Sequence, residues 1–369
     1  MGLSNEGLLV ILVLVWVPAV LVHAYILRRA KQVTHGQVPL AVFLLVLTVY
    51  TVACSATFFA SQHDSENLKP EVTLAAELLW LFSPVIASLS VKGPRGALLP
   101  RSKPELRLCL QRAFLLGVPL CAVFAVGDQI FNQFGFLLVG SPVETNGAFL
   151  RHVGSVFGYH GSSELFSTFL GFLSNFSIGP FIDPFAPAED SLYSISTYGI
   201  ASYVLYAIPE EIGWAGTLYP LLLNQAAAPS NALLAVTESQ GVFRAMSVTG
   251  LVWGLWHLPL LMLRGAGGVL GLIDLGFFVL SCVATRWLLT ALTWPVKSPE
   301  HDLLEPQVVR PSIVPAVFAH AALNVWWSFY RQLFLWTPGW AVLLGPESSL
   351  VALVWQVGIA GALIKRVLV

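Results

Sequence analysis

The sequence predicts an all-α membrane protein, a polytopic helical bundle. Three observations predict it. The 369-residue chain is 56% hydrophobic and only 11% charged, with a mean hydropathy of +0.75, whereas a soluble domain carries about a quarter charged residues. Apolar runs recur from residue 7 to residue 364 and leave no room for a soluble module. Lysine and arginine gather in the short stretches between those runs.

A span needs about 20 largely apolar residues to cross about 30 Å of hydrocarbon. Nine runs meet that demand: 7–27, 39–60, 72–91, 110–126, 192–223, 245–263, 268–292, 313–334 and 340–364. The first is longer than the core of a cleaved signal, and its basic cluster Arg28, Arg29 and Lys31 follows it, so it reads as a retained span. The fifth is too long for one straight crossing and contains Pro209, which has no amide proton for a helix interior. It is expected as one kinked span or two shorter pieces.

Arg28, Arg29 and Lys31 mark one cytoplasmic loop, and Lys92, Arg95, Arg101, Lys103 and Arg107 mark a second. Lys297, Arg310, Lys365 and Arg366 fall on that same side if nine spans are present. Residues 127–191 then lie on the exofacial or lumenal side, with Asp128, Glu144, Glu164, Asp183, Glu189 and Asp190 against a single Arg151. Asn175-Phe176-Ser177 fits a glycosylation acceptor there. The expected organisation is N-terminal spans over 1–126, the acidic segment 127–191, a core over 192–334 and a C-terminal span over 335–369.

The net charge of -1 leaves no concentrated basic face for nucleic acid, so partners belong in or beside the bilayer. Cys54, Cys109, Cys121 and Cys282 form no CxxC pair and read as buried thiols.

Ionisable groups inside spans cost about 2.5–3.5 kcal/mol each on insertion scales, so each requires a reason. Three places stand out. Glu210 and Glu211 follow Pro209 in the middle of the fifth run, where they could simply complement the positive end of a helix. His257 lies deep in an otherwise uncharged run, four residues after Trp253 and on its helix face, with Pro259 just beyond. His320 and Asn324 are again four apart on one face, and their bland explanation is a polar pair bonded to a neighbouring helix. Separate bland explanations would all have to hold at once, so a shared site is preferred. Two imidazoles and a carboxylate match the three-ligand stoichiometry of a hydrolytic zinc centre, with Glu210, His257 and His320 as the ligands. A glutamate acting with or without metal could serve as general base, and Asn324 could donate to the oxyanion formed when water attacks an amide. No histidine begins an HExxH, no GxSxG is present, and neither Asp128 nor Asp274 belongs to a GxGD.

These strings resemble those of the CPBP intramembrane proteases, a family that includes the CAAX prenyl endopeptidases and bacterial Abi-like proteins. Its pattern is EExxxR, then FxxxH, then HxxxN, on successive membrane helices. Glu210 and Glu211 meet the first, His257 the second, and His320 with Asn324 the third, over residues 200 to 330. EEIGW and WHLPL look more like the bacterial-type branch. The resemblance implies that Glu210 and His257 position and activate a water while His320 and Asn324 stabilise the oxyanion. Zinc and a metal-free glutamate mechanism both remain open.

Two positions depart from the pattern. Trp253 stands where the family has phenylalanine, an exchange of one aromatic packing group for another. Ala215 stands where it has arginine, a group expected to orient the second glutamate or hold a substrate carboxylate.

The leading expectation is a multi-pass endopeptidase that cuts a membrane-embedded or lipid-anchored peptide near the cytoplasmic half of the bilayer. The alternative, motivated by Ala215, is a non-catalytic protein of the same fold serving as an immunity, chaperone or scaffold factor. A transporter fits less well, because the chain lacks the repeated halves common in such proteins.

Overall fold

The computed structural model describes residues 38–63, 70–91, 99–138, 144–145, 199–226, 238–257, 268–294, 311–335 and 350–368, together with Leu21. Helix α1 spans Val38–His63 and α2 spans Pro70–Leu89. Helix α3 (Lys103–Arg112) passes through a π-helical turn, Ala113–Gly117, into α4 (Val118–Leu138). Helix α5 (Gly199–Gly213) likewise passes through a π-helical turn, Trp214–Leu218, into α6 (Tyr219–Ala226). Then follow α7 (Glu238–Trp256), α8 (Gly268–Thr293), α9 (Val314–Leu333) and α10 (Leu350–Leu368). Two short strands, β1 (Glu144–Thr145) and β2 (Phe334–Leu335), pair antiparallel with Glu144 opposite Leu335.

The protein is an all-α membrane bundle. Eight of the nine expected runs coincide with these helices, while the run 7–27, apart from Leu21, lies outside the described residues, as do Asn175 and Arg151. Val38–Thr57, Lys103–Phe131 and Leu275–Thr293 are the described helices long and apolar enough to cross a membrane by length and composition. Val52, Leu115 and Leu280 are among their exposed side chains, as a lipid-facing surface requires, while the exposed Lys103, Arg107 and Gln111 sit at the start of the second. All four cysteines are free and buried.

The fourth span is longer at both ends than its expected bounds of 110–126. At its start Ser102 caps α3 by accepting from the Glu105 amide at 3.3 Å, and Glu105 accepts from the Arg101 amide at 2.7 Å. At its far end the helix runs on to Leu138 and carries Asp128 into the protein, where the Gln356 amide on α10 donates to it at 2.8 Å. Asp128 is therefore buried in a packed helix. From Gly199 on, the fifth run is one continuous helical stretch that absorbs Pro209 in α5, and residues 192–198 lie outside the described residues.

Several hydroxyls in these helices are satisfied locally, because hydrocarbon offers no partner. Thr48, Thr51, Ser55 and Thr57 donate to carbonyls four residues back. Pro84, inside α2, cannot donate to the Trp80 carbonyl, and the Ser83 hydroxyl does so instead at 2.7 Å.

Helix α9 is the centre of the bundle, packed against α4, α5 and α8. Ala316, Ala319, Ala321 and Ala322 are fully buried on it, and their small side chains let several neighbours approach at once. Helix α5 also packs on α2, α8 on α7 and α10, and α10 on α4. The α7–α8 crossing is close because Gly250 and Gly254 are one turn apart on α7. A Cβ at Gly250 would stand 2.5 Å from Val283 Cα, and one at Gly254 would stand 2.8 Å from Val279 Cα. These contacts are with backbone, so a side chain must push the helices apart. Gly250→Ala is expected to cost about 1–3 kcal/mol, the usual range for overpacking. Thermal unfolding in detergent checks this, with Gly276→Ala as the control, since nothing lies within 4 Å of a Cβ there. Equal midpoints for the two variants would contradict the packing argument.

Candidate active site

The site forms where α5, α7, α8 and α9 meet. Helix α5 supplies both glutamates just before its π-helical turn, a helix irregularity frequent at functional sites. Glu210 is 5% exposed and Glu211 is 0% exposed. A carboxylate so deep is tolerated only if its oxygens are paired. Both oxygens of Glu211 are taken: Arg286 Nη1 donates to Oε2 at 2.7 Å, and His320 Nδ1 lies 2.9 Å from Oε1. An ionised carboxylate only accepts, so His320 donates from Nδ1.

Trp253 is the hub of the cluster. Its indole Nε1 donates to Glu210 Oε2 at 2.6 Å. Its ring lies 5.5 Å from the His257 ring and 5.3 Å from the His320 ring, centroid to centroid, edge-on in both cases. The Arg286 guanidinium carbon sits over the same indole, 4.3 Å from its centroid.

His257 is the residue that closes α7. Its Nδ1 lies 2.9 Å from the Trp253 carbonyl, which only accepts, so the proton is on Nδ1. Trp80, Trp253, Trp256 and Phe278 wall the imidazole at centroid distances of 4.7 to 5.8 Å. Trp80 and Trp256 are stacked at 4.0 Å and bonded to α2 and α7: Trp80 Nε1 donates to the Trp256 carbonyl, and Trp256 Nε1 to the Ser83 hydroxyl. The hydroxyl that repairs the break at Pro84 thus also fixes one wall of the site.

The structure brings together Glu210, Glu211, His257 and His320, which lie in three separate stretches of the sequence. Asn324 follows His320 by one turn of α9 and is half-buried. Sequence reasoning passed over Arg286 and took Trp253 for packing alone. Arg286 was legible by the same test that singled out the others, as a fully charged residue in the apolar run of α8. Glu210, His257 and His320, the expected zinc set, lie around Trp253. Among the described residues no three His, Cys, Asp or Glu side chains group to hold a metal ion. Trp253 takes Glu210, and His320 turns its Nδ1 to Glu211.

Residues 194–326 match the family model described as Type II CAAX prenyl endopeptidase Rce1-like. This core is similar to the CPBP/CAAX protease family. The CPBP match takes in α5 to α8 and the part of α9 that carries His320 and Asn324, while α1 to α4 and α10 lie outside it. No curated protein matches the chain.

Glu211→Gln would leave the buried Arg286 cation short of its counter-charge. Removing one partner of a buried pair costs about 3–5 kcal/mol. The expected outcome is a large fall in the thermal unfolding midpoint of the purified protein, and an unchanged midpoint would show that the pair does not hold the bundle.

Proposed function

We propose that the protein is an intramembrane endopeptidase that hydrolyses a peptide bond in a membrane-embedded or lipid-anchored substrate. The observation that carries this reading is the single aromatic hub: Trp253 holds Glu210 by a hydrogen bond while its ring touches both His257 and His320. The family match over residues 194–326 supports the same kind of chemistry, which acts on membrane-associated peptides.

The step is written on protein groups. Trp253 occupies one oxygen of Glu210, and the other takes a proton from water, with the His257 imidazole beside it helping to orient that water. The water oxygen attacks the amide carbon, and the carbonyl oxygen gains the negative charge. His320 and Asn324 stabilise that charge from α9. The C–N bond then breaks, and the leaving amine takes the proton held by Glu210. The aromatic walls around His257 limit bulk water, which strengthens each of these interactions. The site lies toward the cytoplasmic half of the bilayer, where the basic loops place the ends of the helices.

Two probes test the reading in liposomes: a quenched-fluorescent prenylated CAAX peptide and a quenched-fluorescent transmembrane-helix peptide. Cleavage of at least one is expected, with turnover lowered by about 10²–10⁴-fold in Glu210→Gln, His257→Ala and His320→Ala variants that remain folded. Full turnover in all three, or no cleavage of either probe by the natural protein, would overturn it. A route that uses protein groups alone also predicts turnover that survives a zinc chelator. Loss on chelation with recovery on added zinc would return a metal to the site.

A further inference from the structure

We propose that Arg286 is the positioning residue of the glutamate pair, supplying from α8 the positive charge that the family motif would place at residue 215 of α5; this rests on the endopeptidase reading above. Three observations carry it. Glu211 is fully buried and its carboxylate ends on Arg286 at 2.7 Å, so the charge the motif requires is present although the motif residue is not. Ala215, one turn beyond Glu211, is fully buried and too short to reach any carboxylate. The path of Arg286 is built for it. Its Cβ passes 3.1 Å from where a Cβ on Gly250 would stand, and its guanidinium then crosses the face of Trp253 at 4.3 Å before meeting Glu211.

The two departures from the motif are therefore one device. Trp253 in place of phenylalanine offers a broader face for the guanidinium and an N–H for Glu210, two things a phenyl ring lacks in that combination. Arg286 acts on chemistry through others: it fixes Glu211, which fixes His320 Nδ1, and it rests on the indole that holds Glu210. An arginine at 215 together with Arg286 would put two guanidiniums at one buried carboxylate and leave a cation unbalanced. Positions 215 and 286 are alternative sources of a single charge.

The experiment is a charge relocation, read with both quenched-fluorescent probes and by thermal unfolding. Arg286→Gln is expected to lower kcat about 100-fold with KM little changed, since a small misplacement of the base carries a penalty of that order. Ala215→Arg in the natural background is expected to lower the unfolding midpoint. The double variant Ala215→Arg/Arg286→Gln is expected to recover both the midpoint and most of kcat. A double variant that regains neither overturns the proposal, including where Arg286→Gln alone fails to fold. Arg286→Gln with natural kcat overturns it too, and leaves the endopeptidase reading intact if Glu210→Gln is inactive. Absence of turnover in the natural protein overturns both.

Discussion

The arrangement of the site depends on one buried carboxylate and its two partners. Glu211 is fully buried, so α8 must deliver Arg286 and α9 must deliver His320, each within hydrogen-bond distance. That requirement ties two helices to α5 at a single point. The packing elsewhere serves it. Gly250 and Gly254 bring α7 against α8, which sets the Trp253 indole under the guanidinium, and the alanines of α9 let His320 approach α5. A purely apolar junction would associate these helices as well, but it would not fix which way His320 and Trp253 point.

Glu210 differs from its neighbour in a way that suits chemistry. Glu211 is spent on an arginine and a histidine, whereas Glu210 has a neutral indole donor at 2.6 Å. Two adjacent carboxylates thus divide into a structural anchor and the group proposed as proton acceptor, because successive residues of a helix project about 100° apart and meet different helices. Pro209 and the π-helical turn bracket the pair and free the local backbone from strict helical register.

Much of this was legible in the sequence, for identifiable reasons. Apolar runs bounded by basic or Pro-rich stretches mark helices well, since the bilayer imposes length and composition together. Glu210, Glu211, His257 and His320 were visible because each is polar where hydrocarbon makes polarity costly. What was hidden is pairing across large sequence separations. The extension of α4 beyond residue 126 rests on Asp128 meeting Gln356, and no local pattern encodes that contact. Arg286 was conspicuous by charge, yet its role depends on Gly250 and Trp253, which belong to another helix. Ala215 read as a loss because the motif is linear, while the electrostatic requirement it expresses is spatial and is met from α8.

The most direct measurement is a double-mutant cycle on Glu211 and Arg286, using Glu211→Gln, Arg286→Gln and the double variant, followed by thermal unfolding in one detergent. The account predicts that the double variant is much less destabilised than the two singles combined, with a coupling of about 2–3 kcal/mol between residues in direct contact. Additive losses would contradict it, for they would mean that the two side chains do not meet and that nothing replaces the motif arginine.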